Sequence, residues 1–146
     1  TVRGSDSHHP LKMESIKTNI SIIKRRDVKI EKKLQAVNEL FLRGGKKAVP
    51  DLIKEVINPD WKIRWLIVCS LVYIGEDALP ELHKALKHKN WRMRGGIVET
   101  LSVIKSKKSI PHLKELLKDK NEKVRRYAKL SLDRFGIKNV SVDDLK

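Results

Sequence analysis

Three copies of one pattern, offset by 30 and then 31 residues, limit what this chain can fold into more than any other feature. Ala48-Val49-Pro50 leads to Asp60-Trp61-Lys62-Ile63-Arg64, Ala78-Leu79-Pro80 leads to Asn90-Trp91-Arg92-Met93-Arg94, and Ser109-Ile110-Pro111 leads to Asn121-Glu122-Lys123-Val124-Arg125. A period of this length is one supersecondary unit that cannot bury its apolar side alone, so neighbours must stack and share a core. Function in such scaffolds sits on the variable surface, which the repeat does not specify.

Inside each copy the apolar residues recur at helical spacing, and Gly, Pro, Asn and Asp mark the breaks, giving two helices per copy. In the copy spanning 46–75 the first helix reads Lys46 to Ile57, with Val49, Leu52, Ile53, Val56 and Ile57 on one stripe and Pro50 tolerated in the first turn. Asn58-Pro59-Asp60 breaks it, Asp60 caps a second helix to Ile74 that buries Ile63, Ile67, Ser70, Leu71 and Ile74, and Gly75 stops it. The copy at 76–106 repeats the plan with Leu79, Leu82 and Leu86, then Met93, Ile97, Thr100, Leu101 and Ile104. That at 107–136 uses Ile110, Leu113, Leu116 and Leu117, then Val124, Ala128, Ser131, Leu132 and Phe135, closed by Gly136. Ser70, Thr100 and Ser131 place a small side chain at one point of every second helix, which lets adjacent helices approach closely.

Residues 13–45 form a degenerate fourth pair. Ile16, Ile20 and Ile23 mark a short helix, and Val28 to Arg43 a longer one with Val37, Leu40 and Phe41 at buried positions. Gly45 lies 30 residues before Gly75, but Lys33-Leu34 replaces the apolar-Arg pair, as a terminal cap requires. Residues 1–12 read as an appended or disordered leader before a native start at Met13, and the His8-His9 pair within it is set aside as a metal site. Residues 137–146 read as a tail in which Ser141-Val142-Asp143-Asp144 caps a frayed last turn. The whole of 13–146 is expected to be one domain.

The chain is 40% hydrophobic and 35% charged, the balance of a soluble folded protein. Its most apolar stretch, Trp65 to Ile74, is about half the roughly 20 residues that cross a bilayer. Cys69 is the single cysteine, so no internal disulfide forms and a cytoplasmic location is expected.

A Pro-containing first helix, an Asp or Asn turn, an apolar-Arg pair and a Gly stop together resemble the HEAT repeat, in the short form named after the phycobilisome lyases. The likeness covers about Gly45 to Gly136 well and Met13 to Gly44 loosely. It implies an all-α, right-handed α-solenoid (an α-α superhelix) of about four antiparallel helix pairs. In that family the turn residue caps the second helix and the Arg bonds to the neighbouring repeat. The resemblance thus assigns Asp60, Asn90 and Asn121 with Arg64, Arg94 and Arg125 to a structural ladder rather than a ligand site.

The family's enzymes leave little trace here. A di-iron hydroxylase needs His-Glu pairs, and none occurs; His83, His88 and His112 read as surface residues, so no metal, cofactor or catalytic residue is expected. A lyase needs a tetrapyrrole pocket, whereas Cys69 reads as a packing residue. HEAT-like DNA glycosylases hold DNA beside Trp and Asp; here the candidate acids are Asp60, already a cap, and Asp133.

The second helices of such an array line its concave side, and counting from the buried stripe places Lys62, Trp65, Cys69 and Tyr73, then Arg92, Gly95 and Glu99, then Lys123, Arg126, Lys129 and Asp133 on it. Gly95-Gly96 points to a shallow place created by close helix packing or by approach of a ligand, packing being the simpler cause. The net charge is +15, with ten Lys or Arg against four Asp or Glu in residues 107–136 and compact runs at Lys24-Arg25-Arg26 and Lys107-Lys108. Such a balance fits an acidic partner or nucleic acid, and a Lys- and Ile-rich composition also accompanies adaptation to heat. The sequence therefore reads as a non-catalytic scaffold that binds a protein through the concave face, with Lys62, Trp65, Tyr73, Arg92, Glu99, Lys123, Arg126 and Lys129 as its candidate surface. The alternative is phosphate-backbone binding by the basic surface, with Trp61 or Trp65 as a stacking platform.

Overall fold

The computed structural model describes residues 12–138, which are helical and contain no strand; the readings for the leader before Lys12 and for Ser141 to Asp144 lie outside them. The chain divides into two compact units, Thr1–Ile74 and Gly75–Lys146.

In the first unit α1 (Met13–Lys24) packs on α2 (Ile30–Glu39), and α2 and α3 (Val49–Lys54) pack on α4 (Trp61–Ile74). Ile16, Ile20 and Ile23 recur at helical spacing along α1, so one stripe is buried, and Ala36, Val37 and Leu40 meet the same need on and just after α2. The helix expected over Val28 to Arg43 starts at Ile30 and ends as a π-type turn, Leu40–Gly44, in which Leu40 is buried, Phe41 is half-buried and Leu42 is exposed. Pro50 occupies the first turn of α3, where its missing N–H costs no helical bond, and Glu55–Ile57 continues as a 3-10 turn. Ile63, Ile67 and Leu71 seat α4 in this core.

The second unit repeats the design with α5 (Leu79–Ala85), α6 (Trp91–Ile104), α7 (Ile110–Glu115) and α8 (Glu122–Arg134), in which α5 packs on α6, α7 on α8, and α6 on α8. Leu82, Ile97, Leu101, Leu113, Val124 and Leu132 are fully buried. The outermost positions of the expected stripes, Ile57, Ile74, Ile104, Ile110 and Phe135, are half-buried instead, because an end turn has neighbours on one side only. Gly95 contradicts its placement on an open face. It is buried, and a Cβ there would stand 3.0 Å from Cδ2 of Tyr127, so the glycine lets α6 and α8 approach closely.

Four helices in these two units end on a left-handed residue at the same repeat position: Gly45, Gly75, Lys105 and Gly136, at φ of 53°, 68°, 57° and 81°. At Gly136 the paired bonds of a Schellman cap form, Ile137 N–H to Leu132 O at 3.0 Å and Gly136 N–H to Asp133 O at 2.9 Å. Lys105 makes the simpler version, its N–H donating to Leu101 O at 2.9 Å.

Candidate functional site

The turns between paired helices share one design. Asp60, Asn90 and Asn121 each accept from the backbone N–H two residues on, at Lys62, Arg92 and Lys123, over 2.8, 3.0 and 2.9 Å. These bonds satisfy N–H groups that a helix start leaves orphaned. The residue two places earlier accepts the capping residue's own N–H in all three turns, using three different groups: Asn58 Oδ1, His88 Nδ1 and Asp119 Oδ1.

The three arginines also serve these turns, though differently from the family expectation of a bond to the next repeat. Arg64 donates to Asn58 O and Pro59 O of its own turn, and Arg125 to Asp119 O of its own. Arg94 alone among the three also joins two repeats. Its Nη1 donates to His88 O and Lys89 O, while Nε and Nη2 grip both carboxylate oxygens of Asp119 at 2.8 and 2.9 Å. The reason is in the sequence: Asp119 stands where the earlier turns have Asn58 and His88, neither of which is a carboxylate. Burial alone would push the Asp119 carboxyl up, but the Arg94 guanidinium and the Asn121 N–H outweigh it and hold the carboxyl below its ordinary range.

On the first unit α4 exposes Trp61, Trp65 and Tyr73, of which Trp65 is 66% and Tyr73 71% accessible. The spacing of four and eight residues runs them along one side of the helix, with half-buried Cys69 between. Tyr73 meets Phe41 edge to face, with ring centroids 5.4 Å apart, and Leu42 beside it is also exposed. Phe41, expected from the sequence to be buried, is half-buried here, and Leu42, which the sequence reading passed over, is exposed. Lys62, also expected at this surface, sits with its ammonium 5.9 Å from the Trp61 ring centroid.

On the second unit Arg92 and Lys123 share one ring, lying 4.8 and 5.2 Å from the centroid of Trp91. Such contacts are worth about 0.5–1 kcal/mol at an exposed site and fasten the starts of α6 and α8. Arg126 and Lys129 are exposed on α8, with Arg126 3.5 Å from Glu122. Glu99 borders a pocket of about 140 Å³ between α6 and α8, with Val98, Ser102, Tyr127, Leu130, Ser131 and Arg134 as its other walls. The sequence marked Ser131 only as small and passed over Ser102, Tyr127 and Arg134.

His83 and His112 correct the reading of simple surface histidines. Their rings stack 18° from parallel with centroids 3.9 Å apart, and His83 Nε2 lies 2.9 Å from the buried Ser109 Oγ. Burial, followed by the facing His112, pushes the His83 pKa down. The basic runs are partly neutralised. Arg25 donates to Asp27, Lys24 lies 3.9 Å from Glu55, and Lys108 donates to Glu76 at 2.9 Å. Among the described residues no cluster of three or more His, Cys, Asp or Glu could hold a metal, and no helix is long and apolar enough to cross a membrane.

Paired helices, capped turns and the recurring glycine stop define an all-α helical-repeat protein. Residues 49–133, more than half of the chain, match the family of HEAT repeats, and the chain belongs to that family. HEAT repeats commonly serve as interaction scaffolds rather than enzymes. No curated protein matches the chain.

Proposed function

We propose that this protein is a non-catalytic scaffold that binds another protein through the water-facing sides of its second helices. Lys62, Trp65 and Tyr73 carry the binding surface on the first unit, and Arg92, Glu99, Lys123, Arg126 and Lys129 on the second. The supporting observation is the aromatic strip of α4, where Trp61, Trp65 and Tyr73 remain exposed beside Phe41 and Leu42. Large aromatics left in water are the usual anchors of protein interfaces and are a poor arrangement for a helix with no partner. The partner is acidic, because the water-facing side of α8 carries Lys123, Arg126 and Lys129. Asp60, Asn90, Asn121, Arg64, Arg94 and Arg125 keep a structural role in this reading, since their hydrogen bonds lie within the turns and between repeats. The short period and the apolar-Arg pair favour the short, phycobilisome-lyase type of HEAT repeat, and the lone Cys69 suits a cytoplasmic setting.

Nucleic acid is the second reading, favoured by the excess of cations in residues 107–136. Against it, members of the basic runs already face Asp27, Glu55 and Glu76. Fluorescence anisotropy with random duplex DNA, single-stranded DNA and RNA over a salt series separates the two. The scaffold reading expects binding no tighter than about 10 μM at physiological salt, in the range of non-specific contacts. Tight binding with a steep salt slope, abolished by Arg126→Glu with Lys129→Glu, would replace it with the nucleic-acid reading.

A further inference from the structure

The two helix layers of the second unit are joined by different chemistry. Its second helices meet through a close approach, Gly95 of α6 against the Tyr127 ring of α8, and through the Arg94–Asp119 pair at the turn before α8. The first helices are tied by polar links instead. His83 of α5 stacks on His112 of α7, His83 Nε2 lies 2.9 Å from Ser109 Oγ, and Glu76 before α5 accepts from Ser106 and Lys108 before α7. Ser109 is fully buried, so it serves as a hydrogen-bond partner and not as a nucleophile.

We propose that the His83–His112 stack is an acid-sensitive joint: when both rings carry a proton, α5 and α7 part while α6 and α8 stay together, and α8 pivots on α6 at the Gly95–Tyr127 contact. One charged ring can rest on a neutral one. Two imidazolium ions with centroids 3.9 Å apart repel, and both rings are half-buried, where water screens them less than in bulk. Ser109 does not relieve this, because its hydroxyl can donate to a neutral ring or accept from a protonated one. Other charges on the surrounding elements are engaged elsewhere or stand in water. Glu81 faces Lys84 on α5, Glu76 faces Lys108, Arg94 of α6 faces Asp119, and His88 accepts within its own turn. Asp77, Arg92, Glu99, Lys107, Glu115 and every charged residue of α8 are exposed, and Lys114, two residues on from His112, projects from another side of α7. Burial and the facing His112 already hold His83 below the ordinary histidine range. The closed joint therefore takes up the second proton less readily than the open one, so it is favoured above about pH 6.5 and lost progressively below it. The pivot would change how Arg92 and Glu99 stand relative to Lys123, Arg126 and Lys129; that consequence rests on the scaffold reading, whereas the opening itself does not.

Amide hydrogen exchange of the full chain at pH 7.5 and 5.0, corrected for the intrinsic effect of pH on exchange, reads the opening. Peptides from α5 and α7 should exchange about tenfold faster at pH 5.0 after that correction, because a proton shut out of the closed pair about one and a half units below its ordinary pKa favours opening by at least that factor. Peptides covering Gly95 and Tyr127 should keep their rates. His112→Phe retains a stacked ring without the charge and should abolish the acid effect. Imidazole NMR should show the parent pair titrating in two steps at least about one pH unit apart, and His83 titrating in one step in His112→Phe. The same acceleration in His112→Phe, an acceleration spread evenly from α5 to α8, no acceleration at all, or a single shared titration step in the parent would each overturn the joint. None of these results bears on the scaffold reading, which is judged on the α4 face.

Discussion

Lys105 occupies a place where the other repeats have glycine. It is the one described non-glycine residue with positive φ, at 57°, and it lies 30 residues after Gly75 and 31 before Gly136. A side chain in the left-handed region brings Cβ against the following carbonyl, a strain of roughly 1–2 kcal/mol. Lys105→Gly removes that strain while giving the unfolded chain more freedom, which takes back about 0.5–1 kcal/mol. The cap itself survives, because the bond to Leu101 O comes from the backbone N–H. The net expectation is a gain of about 0.5–1 kcal/mol, or roughly 2–4 °C in melting temperature for a chain of this size. Urea and thermal melts followed by circular dichroism read it directly, with Lys105→Val as the opposite arm, which a β-branched side chain makes clearly less stable. A Lys105→Gly protein that melts at or below the parent temperature, or a Lys105→Val protein of equal stability, would refute the strain assignment.

The Arg94–Asp119 pair predicts a larger effect. Both side chains are nearly buried and doubly bonded, so Asp119→Ala, which strands the arginine charge, should cost about 3–5 kcal/mol, and Arg94→Met with Asp119→Asn, which removes both charges and keeps an acceptor for the Asn121 N–H, should recover much of it. Because the Asp119 carboxyl is held below its ordinary range, its contribution is present above about pH 4 and is lost as pH falls through the lower folded value; urea midpoints of parent and double variant should converge there. His83 acts in the same direction at higher pH. Its lowered pKa means that the unfolded chain binds the proton more readily, so stability falls as pH drops below about 6.5, and His83→Gln should flatten that slope; an unchanged slope would exclude the stacked pair as its source.

Which parts of this were legible in the sequence follows from what periodicity can encode. A buried stripe is a property of spacing, so Ile63, Ile67, Met93, Ile97, Val124 and Ala128 were readable without any coordinates. Caps at Asp60, Asn90 and Asn121 were readable too, because they depend on one side chain and its own backbone. Contacts between repeats were not. Gly95 announced a close approach, but only the packing of α8 on α6 identifies Tyr127 as the group that fills it. His83 and His112 do not occupy equivalent places in their repeats, so aligning the copies hides the stack that their folding creates. Nor does the spacing distinguish the Ser131 hydroxyl, which is unpaired among the described residues, because the sequence shows only that Ser70, Thr100 and Ser131 are all small. The left-handed Lys105 was in plain view as a missing glycine in a series of four.

The α4 face offers the most direct test of the proposed role. A benzophenone photo-crosslinker placed at Trp65, with controls at the exposed first-helix positions Lys54 and Lys84, is irradiated in cells expressing the full chain. The account predicts a discrete adduct from position 65 that resists nuclease, is destroyed by protease and is absent from both controls. Adducts of equal yield from all three positions, or an adduct from position 65 that nuclease removes, would contradict it.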